Sequence, residues 1–70
     1  MQGKMTHKEL HYLEDCLKAE QLAIHKCNFF GSESQDREVS EICMNMANRH
    51  QQHYNTLLKH LQNRNYSGIQ

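Results

Sequence analysis

The sequence predicts an all-α fold: an antiparallel hairpin of two helices that pairs with a second hairpin into a four-helix bundle. Three observations predict it. Apolar residues recur at alternating three- and four-residue spacing over two long stretches. Each stretch opens on a capping signal. The 70 residues include no proline and only three glycines, Gly3, Gly31 and Gly68, so little interrupts a helix.

The first helix is expected over 7–30. Thr6-His7-Lys8-Glu9 is a T-x-x-E capping box, in which the Thr6 hydroxyl and the Glu9 carboxylate each accept from the other residue's backbone N–H. Met5 before the cap and Leu10 after it are spaced as a hydrophobic staple. Leu10, Leu13, Leu17, Ile24 and Cys27 then mark an apolar seam, flanked by Tyr12, Cys16, Ala23 and Phe30. Gly31 is expected to end the helix in a left-handed conformation.

A polar connection from Ser32 to Gln35 follows, and Asp36 is the expected N-cap of the second helix, with Glu38 near its positive end. That helix is expected over 37–63, with Val39, Ile42, Cys43, Met46, Ala47, Tyr54, Leu57, Leu58 and Leu61 on one face. The pattern fades after Gln62, so 64–70 reads as a frayed tail, and residues 1–70 form a single domain. Each helix would be about 35–40 Å long, and the short loop makes them antiparallel neighbours. Their apolar arcs are wider than one partner can cover, which predicts a homodimer.

Composition narrows the function. Eight Lys and Arg balance eight Asp and Glu, with a pI near 7.0, which argues against nucleic acid as a partner and against a polybasic membrane anchor. No apolar run approaches the roughly 20 residues of a membrane span, and residues 1–30 lack the apolar core of a signal peptide; a cytoplasmic location is expected. Cys16, Cys27 and Cys43 are odd in number and contain no C-x-x-C, so neither a disulfide framework nor a zinc ribbon is expected, and small buried thiols are the default. No phosphate loop or nucleophile elbow is present, and no catalytic group is predicted.

The informative residues are polar ones inside the seam. On the first helix, the position between Leu17 and Ile24 is Glu20. On the second, the seam through Val39, Ile42, Met46 and Leu57 passes through His50 and His53. The two histidines are at i and i+3, on one face, and in a hairpin closed near 31–36 Glu20 lies level with His50 or within a turn of it. Three readings follow. Glu20 and a histidine form a buried hydrogen-bonded layer that fixes register, or Glu20, His50 and His53 ligate a metal, or dimer packing leaves the group in solvent. His7, His11, His25 and His60 fall on polar faces or helix ends and are expected in solvent.

At these residues a family resemblance enters. Leu13-Glu14-Asp15-Cys16-Leu17-Lys18-Ala19-Glu20-Gln21, followed by Asn48-Arg49-His50-Gln51-Gln52-His53-Tyr54, resembles the two-helix half-repeat of ferritin-like and rubrerythrin-like proteins. The order of features over about 8–66 also resembles the small spore coat proteins of the coat protein F type. The resemblance implies a ferritin-like bundle, a structural role in the spore coat and other coat proteins as partners. By position, Glu20 matches the first-helix ligand of that superfamily and His53 the histidine of its Glu-x-x-His, while His50 stands where a bridging glutamate is expected. Fewer carboxylates and more imidazoles disfavour a di-iron site and ferroxidase chemistry. The divalent transition metals that fit are zinc, nickel or copper ahead of iron.

Overall fold

Two helices and one tight turn make up the structure, a computed structural model that describes the backbone of residues 5–69 and the side chains of residues 5–63. α1 spans His7–Glu33 and α2 spans Arg37–Ile69, packed against each other along a rod measuring 50 × 16 × 15 Å. The capping box forms as the sequence predicts. Thr6 Oγ1 accepts from the Glu9 N–H and Glu9 Oε1 accepts from the Thr6 N–H, both at 3.0 Å. Asp36 caps α2, its Oδ1 accepting from the N–H groups of Glu38 at 2.9 Å and Val39 at 3.2 Å. Ser34 holds the turn between them: its Oγ accepts from the Asp36 N–H at 3.1 Å and donates to the Asp36 carbonyl at 3.2 Å. Replacing Asp36 by alanine orphans two helix donors at once, so Asp36→Ala is expected to cost about 1 kcal/mol. A thermal melt that matched the wild type would contradict this account of the turn.

Both helix ends depart from the sequence reading. Gly31 does not terminate α1. The helix continues through it to Glu33, Ser34 closes the end with an N–H bond of 3.0 Å to the Phe30 carbonyl, and no described glycine has a positive φ. Gly31 serves close approach instead. A Cβ there would lie 3.2 Å from Cys43 Cβ, 3.2 Å from Met44 Sδ and 3.5 Å from the Ser40 carbonyl oxygen. Ser40 Oγ donates to the Gly31 carbonyl at 2.7 Å, pairing a last-turn acceptor that α1 itself leaves free. At the other end, α2 runs on to Ile69 in place of the expected tail from 64; nothing before Gly68 stops a helix, and Gln70 lies outside the described residues. In the register of the two helices, residues 64–69 lie past the level of His7, where α1 begins. The apolar pattern therefore fades there although the helix does not.

The two helices meet along strict three-four rows. On α1 the row is Leu10, Leu13, Leu17, Glu20, Ile24, Cys27 and Gly31; on α2 it is Ser40, Cys43, Ala47, His50, Tyr54, Leu57 and Leu61, and every member is buried or half-buried. This corrects the expected α2 seam. Val39, Ile42 and Met46 are 43%, 56% and 47% exposed, one step round from the contact row. Small residues occupy the contact row near the turn because the helices approach closely at Gly31, and the larger side chains are displaced to the flank. Among the described residues only Gly31 and Ala47 are buried, and Ala47 still keeps 6% of its surface exposed.

Candidate metal centre

Glu20 sits at the middle of α1, at a contact-row position that brings its carboxylate level with His50 on α2. The register fixes this. The Gly31–Ser40 contact beside the turn sets the hairpin's phase, and stepping back along both rows pairs Ile24 with Ala47 and Glu20 with His50. His53 follows one turn later on the same side of α2. The carboxylate is shared between the two rings, Glu20 Oε1 lying 2.6 Å from His50 Nδ1 and Oε2 lying 3.5 Å from His53 Nδ1. The rings meet edge to face, with centroids 5.8 Å apart. One ligating atom from each of the three residues lies within 4.8 Å of the others.

Burial grades across the trio. The Glu20 and His50 side chains are 20% and 27% exposed, whereas His53 is 60% exposed. The sequence pattern set both histidines near the centre of the apolar arc; the structure keeps His50 in the contact row and turns His53 toward the open flank. A carboxylate offers only acceptors, so His50 Nδ1 carries the proton of the short bond, and the half-buried charge has a matched donor. Two imidazoles and one carboxylate are also a donor set that suits zinc and its neighbours in the first transition row. Ligation through His50 Nδ1 requires the proton to leave that nitrogen, which the tautomer protonated on Nε2 provides.

The remaining candidates stay apart. His7, His11, His25 and His60 are exposed, and His11 makes a 3.5 Å contact with Glu14 on the solvent side. Among the described residues, no other group of three potential ligands converges. The opposite side of the hairpin carries a shallow groove lined by Gln21, Ile24, His25, Asn28, Gln51 and Tyr54, with Gln21 Nε2 donating to Tyr54 Oη at 3.4 Å. The sequence reading missed Ser40, whose only advance signal was its three-four phase with Cys43 and Ala47.

No protein-family model and no solved structure matches the chain. Over 58 residues, covering 83% of this chain and 72% of the relative, it is 34% identical to the uncharacterized protein YuzM of Bacillus subtilis (strain 168). The chain belongs to the YuzM family. A match of that length leaves at most twelve residues of the chain outside it, so the stretch shared with YuzM takes in Glu20, the turn, His50 and His53. In this YuzM-family chain, no helix among the described residues is long and apolar enough to cross a membrane.

Proposed function

We propose that this YuzM-family hairpin is a non-enzymatic structural protein that pairs with a second copy into a ferritin-like four-helix bundle, a building block of the spore-coat type. One observation carries the reading. Five of the eight large apolar residues exposed among the described residues fall on one side of the hairpin, while Leu22, Phe29 and Met44 lie off it. Counted at 100° per residue from the contact row, Tyr12 and Phe30 of α1 and Val39, Ile42 and Met46 of α2 are displaced in the same rotational sense. Antiparallel direction brings those two flanks to the same face. A chain with so little enclosed apolar surface gains most from covering that face, and an identical hairpin supplies a matching one by twofold symmetry.

The test is the assembly state. Sedimentation at low micromolar concentration is expected to give a dimer, and the double variant Ile42→Glu, Met46→Glu is expected to shift it to monomer with loss of thermal stability. A wild-type monomer with a cooperative melt would overturn the reading.

A second reading, metal binding, is favoured by the convergence of Glu20, His50 and His53. These three would hold a divalent cation such as zinc, joining α1 to α2 at mid-length. There the cation would supply a fixed positive charge and crosslink, stabilising whichever assembly binds it.

A further inference from the structure

We infer that Cys27 and Cys43 are a redox pair that joins α1 to α2 by a disulfide across the contact row. The register carries the inference. Cys27 lies seven residues after Glu20 and Cys43 lies seven before His50, so the cysteines repeat, one heptad nearer the turn, the relation that brings Glu20 within 2.6 Å of His50. Both are contact-row residues, both are half-buried, and both are free thiols in the structure.

The helices are also unusually close at this level. Cys43 Cβ would lie 3.2 Å from a Cβ placed on Gly31, one helical turn from Cys27. A disulfide needs Cβ atoms about 3.5–4.5 Å apart, which ordinary helix packing around large side chains does not allow. Glycine at 31 and serine at 40 remove that obstacle. Cys16 has no counterpart: its level on α2 falls near Tyr54, with no cysteine within reach along the row.

The oxidant is a small-molecule disulfide such as glutathione disulfide. The thiolate of one cysteine attacks an oxidant sulfur, forming a mixed disulfide and releasing one glutathione thiolate. The second cysteine attacks the protein sulfur of that mixed disulfide, the Sγ–Sγ bond forms, and a second glutathione thiolate leaves. The protein loses two electrons and two protons, and the oxidant carries them away as two thiols. The bond closes the fifteen residues between the cysteines into a loop, constraining the unfolded chain.

The experiment treats the full reduced chain with glutathione disulfide, alkylates the remaining thiols, and maps the product without reduction. Trypsin cuts at Lys26, Arg37 and Arg49, so the expected product joins peptide 27–37 to peptide 38–49 within one chain and leaves Cys16 alkylated. The melting temperature is expected to rise by roughly 10 °C and to return on adding reductant. Cys16→Ser should keep both effects, and Cys27→Ser should lose both. A product crosslinked between chains through Cys16, or three thiols still alkylatable after oxidation, would overturn the inference. Neither result bears on the Glu20–His50–His53 site, which shares no residue with the pair.

Discussion

Replacing Glu20 by leucine is expected to leave a folded hairpin that has lost its affinity for zinc. The carboxylate contributes one oxygen toward each imidazole, so its removal takes away the only ligand that α1 supplies. The two remaining donors, His50 and His53, lie on one helix and form an ordinary i, i+3 pair. Zinc affinity measured against a chromophoric chelator on tag-free protein should fall at least about 100-fold. The wild type should melt at higher temperature with zinc than with chelator, and the leucine variant should not distinguish the two. The fold has a separate expectation. Leucine continues the row from Leu17 to Ile24 and relieves a half-buried charge, so the metal-free variant should be as stable as the wild type or more so. His11→Ala serves as the surface control and should leave zinc affinity unchanged. Undiminished affinity in Glu20→Leu would exclude the trio as a metal site. A wild-type melt indifferent to zinc, nickel, copper and iron would leave only the hydrogen-bonded layer.

Gly31→Leu is expected to be the most damaging substitution near the turn. A leucine there places its first carbon 3.2 Å from Cys43 Cβ, as alanine would, and adds a branch beyond it for which the close approach to α2 leaves no room. The helices must separate, and the Ser40–Gly31 bond of 2.7 Å is stretched or lost with them. Overpacking of this kind costs about 1–3 kcal/mol. Leucine's better helix propensity returns up to ~1 kcal/mol, since α1 holds its glycine in an ordinary helical conformation. A net loss of about 1–2 kcal/mol by urea denaturation is the expectation. Gly31→Ala separates the two terms. It has the same propensity gain, and the contact requires only a few tenths of an ångström from Cys43 and from the mobile end of Met44, so it should be near neutral. If leucine were as well tolerated as alanine, the close approach would have no energetic meaning.

The sequence reveals most of this fold, and the parts it hides have a common cause. Both caps are legible because Thr6, Glu9 and Asp36 act on backbone groups two or three residues away, and local chemistry is written locally. The level of Glu20 with His50 is legible because a short turn leaves little freedom of register. The contact row of α2 is not. Hydrophobicity ranks Val39, Ile42 and Met46 above Ser40, Cys43 and Ala47, yet the inner positions belong to the smaller set because the backbones approach closely at Gly31. The same blindness makes Gly31 read as a helix stop, since only the neighbouring helix explains it. His53 shifts from the centre of the arc to its edge for the same reason: moving the contact row by one position rotates the whole face.

The filling between the helices changes along the rod. Beside the turn it is glycine against serine and cysteine; at the far end it is Leu13, Leu57 and Leu61. Small side chains thus fill the turn end and large ones the open end. In the proposed dimer, the small-filled end of one hairpin would lie beside the large-filled end of the other. The twofold axis of that arrangement crosses the rods at mid-length. Glu20 occupies that height, so each copy would set its carboxylate and imidazoles beside the axis, facing their own duplicates.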